Sequence, residues 1–317
     1  MCLPAQSWSI LKFMIIYLYG ENSFGISRQV KLVKQKYLES TGPEGDLENI
    51  DVAEKGINAL LGGLSVMPMF VSSRLIIASN LVKAKPTSEQ LDEIISSTAE
   101  STNLIITDPK PDKRTVLYKK LSKLKGAKEF KNLTGGELMR WVATEVKKAG
   151  AEITPADANY LVNKVGEDQW TLNNEIDKLS SYNPKITKTT IDELAVPSLE
   201  NNTFVLTEAL ANKDLPRVIN LYKDIKLQGH ADQLILGAIT FQYRAIMLVV
   251  LDDNELYKAY KMSPYVLNKA KPLAKKYSLD DIKKAYKIIS YSDMATKTGE
   301  LPASEAMNKL FYGLCGL

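Results

Sequence analysis

The chain has 317 residues, 45% of them hydrophobic and 25% charged, with a formal net charge of +4; this is the composition of an ordinary globular protein of two or three domains, too weakly basic to mark a nucleic-acid binder by itself. Cys2 and Cys315 stand near opposite ends, and His230 is the only histidine. A cysteine-based zinc site and a disulfide framework are thereby excluded, as is any Ser-His or Cys-His nucleophile unless His230, which reads as a surface residue at a helix start, is the base.

Residues 1–13, MCLPAQSWSILKF, have neither a basic leading region nor a small-residue cleavage site, so they do not read as a secretory signal. They are expected to be a mis-called start or a disordered tail. The segment 14–133 alternates apolar β-branched runs, IIYLY (15–19), RLIIAS (74–79) and NLIIT (103–107), with helical stretches at 24–38 and 87–100. Weaker strands are expected at 48–53 and 127–130. The pattern is that of a buried parallel sheet flanked by helices, an α/β domain.

The turn after the first strand, GENSFGIS, fits the phosphate-binding pattern G-x-x-x-x-G-K-[ST] at Gly20, Gly25 and Ser27, with Ile26 where the lysine belongs. Without that lysine a phosphate cradle lacks its main charge. The second acidic motif is also missing, because RLII runs into Ala78, Ser79 and Asn80, and Asp108 after NLIIT has no acidic neighbour. A chance strand-glycine-helix turn and a nucleotide-binding fold that has lost its nucleotide both explain this, and neither performs phosphoryl transfer. Ahead of RLIIAS, Met67, Met69 and Phe70 surround Pro68 and follow Gly62 and Gly63. Large apolar side chains thus fall where a regular helix is not expected, as either a binding site or packing under the sheet.

After Leu133 the strand signals stop. Helices are expected at 134–150, with Thr134 as cap, Glu137 at N3 and Gly150 beyond the end, at 154–166, with Thr154 and Pro155 opening it, and at 168–182. A connector with a small central helix follows at 183–201, and 202–317 reads as helical throughout, with 230–252 as a buried central helix. No run approaches the roughly 18 apolar residues that span a bilayer; a soluble, cytoplasmic protein with no membrane partner is expected. Two basic clusters stand out: 110–131 holds nine Lys or Arg against Asp112 and Glu129, and 258–287 nine Lys against Asp280 and Asp281. A solvated helix face and a phosphate-backbone surface are the two readings.

Taken together, YLYGENSFGIS, SVMPMFVSSRLIIAS, VGEDQWTLNNEIDKLSSY, the helix containing FQYRAIM and DMATKTGELP resemble, in order and spacing from about residue 14 to 317, the delta subunits of the bacterial DNA polymerase III clamp loader. Gly166, Asp168, Leu172, Asn174, Glu175 and Leu179 carry the resemblance most specifically. It implies an ATPase-like (AAA+-type) parallel-sheet domain without a functional P-loop at 14–133, a three-helix lid and connector at 134–201, and a helical collar for oligomerisation at 202–317. It also implies no ATPase activity or cofactor of the chain's own, and a role in replication: binding the sliding clamp and holding one of its interfaces open while other subunits hydrolyse ATP. The implied partners are the clamp, the ATPase subunits, the second stator subunit and primer-template DNA inside the complex. The clamp contact implied is a hydrophobic plug, usually Leu-Phe, for which the matching pair is Met69-Phe70 with Met67 and Pro68 beside it. The competing readings are a degenerate P-loop NTPase or kinase-like enzyme, the zinc-bearing stator relative, whose cysteine module this chain lacks, and a general DNA-binding module.

Overall fold

A computed structural model describes residues 15–43, 45–66, 73–98, 101–262 and 264–317. The chain divides into two compact units, one up to Gly135 and one from Gly136.

The first unit contains, in chain order, β1 (Ile15–Tyr19), α1 (Ser23–Thr41), β2 (Asp46–Asp51), α2 (Val52–Lys55), α3 (Ile57–Ser65), β3 (Arg74–Ser79), α4 (Ser88–Ser96), β4 (Thr102–Asp108), α5 (Val116–Leu121) and β5 (Gly126–Glu129). The strands form one all-parallel sheet in the order β2-β3-β4-β1-β5, the ATPase-like, AAA+-type α/β domain expected. Strands covered on both faces can be apolar at every position, and the period of two sorts them. Ile16, Leu18, Leu75, Ile77 and Ile105 turn to one face, where Ile26, Val33 and Tyr37 of α1 cover them. Tyr17, Ile76, Ala78, Leu104 and Ile106 turn to the other, against Leu60 and Leu64 of α3, Leu91 of α4 and Leu117 of α5.

Two sequence expectations need correction here. The weak strands lie at 46–51 and 126–129, shifted by one or two residues, because pairing in the ladder rather than local composition sets their ends. Gly62 and Gly63 do not break the chain but sit inside α3. Buried Leu60 and Leu64 hold that helix on the sheet, and at Gly63 an added Cβ would stand 3.3 Å from Ile50 Cδ1. The glycine is what lets the helix lie this close.

The second unit opens with α6 (Gly135–Lys148), β6 (Glu152–Ile153), α7 (Pro155–Val165), α8 (Gln169–Tyr182), β7 (Lys185–Ile186) and α9 (Lys188–Leu194), with β6 and β7 pairing in parallel. It continues with α10 (Leu199–Ala211), α11 (Leu215–Leu227), α12 (Asp232–Leu251), α13 (Asn254–Ala259), α14 (Pro264–Ala274), α15 (Leu279–Thr298) and α16 (Ala303–Cys315). Helix α10 starts three residues before the expected boundary because Ser198, just after Pro197, accepts the Asn201 N–H and caps it. His230 lies half-buried in the turn before α12.

Helix α12 is the axis of this helical core. Ile235, Ile239, Tyr243, Ala245 and Leu248 are fully buried against Leu206, Val218, Ala285 and Phe311 of the surrounding helices. By length and composition alone it could cross a membrane, with a mean hydropathy of 1.9 over its window. The expectation that no run comes near that threshold is corrected accordingly. Eight of its residues are buried against the surrounding helices, which accounts for much of its apolarity, while Leu234, Phe241 and Leu251 stay exposed.

Candidate functional site

The loop after β1 lies at the carboxyl ends of β1 and β4, the place where parallel α/β sheets bind ligands. Five of its backbone donors are spent on its own chain. The Gly20 N–H donates to the Asp108 carbonyl (3.0 Å), Asn22 N–H to the Phe130 carbonyl (3.1 Å), Ser23 N–H to the Glu21 carbonyl (3.1 Å) and Ile26 N–H to the Asn22 carbonyl (3.1 Å). Asn22 caps α1, its Oδ1 accepting the Gly25 N–H at 2.8 Å while its Nδ2 donates to the Lys131 carbonyl at 3.1 Å. The chain at Phe130 packs against both glycines. A Cβ on Gly20, whose φ is +121°, would meet the Phe130 carbonyl oxygen at 2.2 Å, and one on Gly25 would meet the ring at 2.8 Å. A phosphate cradle works because its N–H groups point at an empty place; here Asp108, Phe130 and the loop's own Glu21 and Asn22 supply the acceptors.

The side chains agree with this geometry. Ile26 is 5% exposed and belongs to the apolar layer under α1, with Phe130 packed against the same layer. Ser27, where a working loop would hold magnesium, is exposed and lines an outer groove of α1 beside Val30, Lys31 and Lys34. Asp108, opposite Tyr19 in the β1–β4 ladder, is buried and accepts the Tyr17 hydroxyl at 2.8 Å and the Lys110 N–H at 3.3 Å. Burial pushes its carboxyl above the usual carboxylate range, with those two hydrogen bonds pulling the other way. It acts as an internal acceptor under the loop.

Residues 67–70, with Met67, Pro68, Met69 and Phe70, lie outside the described residues. Their two flanks do not. Val66, after α3, is half exposed. On the other side Arg74, at the start of β3, donates from Nη1 to the Gly63 carbonyl (2.9 Å) and from Nη2 to Glu48 Oε2 (2.6 Å), with its Nε 3.3 Å from Asp46 Oδ1. The Tyr37 hydroxyl lies 2.6 Å from the Ser73 carbonyl and 3.0 Å from that of Asp46, its single proton shared between them. The end of α3 and the start of β3 are thus tied to each other and to β2, so the segment between them leaves from a fixed frame. Sequence reasoning missed Arg74 by treating RLIIAS only as an apolar strand. Its signal is a cation heading a buried strand, with acids at 46 and 48 on the strand it pairs with.

Four of the six spaced residues of the second unit occupy caps and core positions. Gly166 ends α7 at φ +101°, and Asp168 caps α8 by accepting the Thr171 N–H at 2.8 Å. Leu172 and Leu179 are fully buried, Asn174 is exposed, and Glu175 pairs with Lys178 at 2.6 Å. Much of the first basic cluster is spent on local acids: Lys113 and Lys131 on Glu129, Arg114 on Asp112, and Lys120 on Asp92.

Two family models match the chain. The model of the DNA polymerase III delta subunit matches residues 17–131, and that of the delta subunit's C-terminal domain matches residues 200–314. The chain belongs to the DNA polymerase III delta subunit family. Across this family, the DNA polymerase III subunit delta of Bacillus subtilis (strain 168) is 22% identical to this chain over 303 residues, covering 89% of this chain and 87% of its own length. Among solved structures, the Bacillus subtilis DNA clamp loader delta protein (YqeN) is similar with a TM-score of 0.66 at 20% identity, covering 96% of this chain and 95% of its own. A delta-family fold accounts for a nucleotide-type loop in this place, and the atomic contacts show how this chain closes it.

Proposed function

We propose that this chain binds the DNA sliding clamp and holds its ring open for loading onto primed DNA during replication, without hydrolysing ATP itself. The observation that carries the reading is the loop after β1: an ATPase-like domain whose cradle amides are committed to Asp108, Phe130 and Asn22, and whose lysine position holds a buried isoleucine. Such a domain is suited to holding a partner rather than turning over nucleotide. Membership of the delta family and the clamp-loader delta protein among its structural likenesses support the assignment of the partner.

In this proposal Met69 and Phe70, with Met67 and Pro68 beside them, plug an apolar pocket on the clamp. Residues 14–133 form the clamp-binding domain, 134–201 the lid and 202–317 the collar that joins the ATPase subunits and the second stator subunit, with primer-template DNA inside the assembly. Methionine in place of leucine keeps the volume and adds flexibility. The test is binding of the same organism's sliding clamp to wild-type protein and to the Met69→Ala, Phe70→Ala double variant. A loss of roughly 3–5 kcal/mol in binding, on the scale of two hot-spot truncations, is expected with an unchanged unfolding midpoint. Retained affinity in the folded fraction, accompanied by a large drop in midpoint, would mean that both side chains are core.

A further inference from the structure

The second unit carries a groove that the proposed function does not use. It has a volume of about 550 Å³ and runs between the end of α12 and the first half of α15. Met247, Leu251, Leu279 and Ile282 form its floor, and Leu251 and Leu279 are 40% and 43% exposed. Lys283, Lys284 and Lys287 line its α15 side.

Two of the three charges on that side have no ion-pair partner among the described residues. Lys284 pairs with Asp280, also at the groove, at 3.7 Å. Lys283 and Lys287 have no ion-pair partner among the described residues, and four-residue spacing sets their Cβ atoms about 6 Å apart on one helix face. The other acids close by in sequence have partners of their own: Asp281 accepts the Ser278 N–H and hydroxyl, Asp252 accepts the Tyr257 hydroxyl, Asp253 caps α13 and Glu255 pairs with Lys258. Arg244, outside the groove lining, stands beside Tyr286 and over the Tyr260 ring at 5.7 Å.

An aliphatic floor beside two unanswered lysines fits an occupant that brings an apolar anchor and carboxylates together. Single-stranded nucleic acid is a poorer match, because its bases need open aromatic faces on which to stack, and Tyr286, the one aromatic side chain lining the groove, is partly buried with its hydroxyl fully so. We propose that the groove docks an acidic segment of a partner protein, one large apolar side chain lying over Met247, Leu251 and Leu279 while flanking carboxylates meet Lys283 and Lys287. The mode is anchor-in-groove recognition with a charged rim that steers and selects.

The test uses the full chain and a short fluorescein-labelled peptide with a leucine-phenylalanine pair between aspartates, read by fluorescence anisotropy. Saturable binding is expected, weakened at least tenfold by Lys283→Glu with Lys287→Glu, and by Leu279→Asp in a separate variant. Replacing the peptide's aspartates by asparagine should have the same effect. All three substituted positions are exposed, so the unfolding midpoint should stay in place. The proposal is overturned if the peptide does not saturate, if the variants bind it as wild type does, if the uncharged peptide binds equally well, or if an oligothymidine strand binds more tightly and displaces it.

Discussion

Restoring the P-loop lysine should damage this protein rather than repair it. Ile26→Lys places an ammonium group in the layer formed by Ile16, Leu18, Val33, Tyr37, Leu75, Ile77 and Ile105, at a position only 5% exposed. Emptying such a site costs about 2–5 kcal/mol, of which the lysine stem recovers a part by refilling the space. The charge must then be desolvated or pulled out past the loop, at a cost of several kcal/mol if it stays inside. It also stands in the first turn of α1, where the helix dipole opposes a cation by about 0.3–1 kcal/mol. The net expectation is a loss of about 3–5 kcal/mol, against less than about 1.5 kcal/mol for Ile26→Leu. Among the described residues the tryptophans, Trp141 and Trp170, both lie in the second unit, so their fluorescence does not follow the damage. Urea-dependent hydrogen exchange of peptides from β1 and α1 does, with equilibrium dialysis against ATP alongside. Unchanged protection together with measurable ATP affinity in the lysine variant would refute the reasoning, since it would require the Asn22 and Phe130 contacts to give way without cost.

Gly20→Ala should cost about 3 kcal/mol or more, because it combines a left-handed φ of +121° with a Cβ 2.2 Å from a carbonyl oxygen; wild-type thermal stability would show that the Phe130 strand simply moves away. Arg74→Lys keeps the charge but loses the forked donors that reach Gly63 and Glu48 together, so a loss of about 1–3 kcal/mol and faster exchange at the end of α3 are expected. For Asp108 the folded-state pKa is raised, so its contribution to stability is fully present below the unfolded-state value and is lost as pH rises through the folded one. Asp108→Asn should therefore match or exceed wild type in stability at pH 7, and its advantage should shrink as the pH falls toward 4; an advantage that grows in acid would reverse the assigned sign.

The parallel sheet was legible because strands enclosed on both faces must be apolar throughout, and IIYLY, RLIIAS and NLIIT have that composition without competing signals. Edge strands β2 and β5 were blurred for the opposite reason: DLENID and GAKE are polar, and what makes them strands is the ladder formed with β3 and β1. Helix α3 was hidden behind Gly62 and Gly63; at Gly63 close packing on Ile50 and Ile76 offsets a poor helical propensity, while Gly62 faces open space. At the loop, the missing lysine could be read from one residue. That Phe130, more than a hundred positions away, supplies the acceptor for the Asn22 amide could not, since no local pattern encodes a contact of that range.

The ties at Arg74 and Tyr37 have a mechanical consequence. A pull on residues 67–72 reaches the domain where β3 begins, and β3 lies between β2 and β4 with six register pairs on each side. A force along the strand axis would load those ladders in shear, many hydrogen bonds at once, instead of unzipping them one after another. On the other side the same pull would tend to unwind the last turn of α3. The Arg74 guanidinium, joined both to the Gly63 carbonyl in that turn and to Glu48 on β2, diverts part of that tension past the helix end and into the neighbouring strand. If a partner were held at this segment, strain would enter the unit through β3 and be shared by the two ladders that flank it.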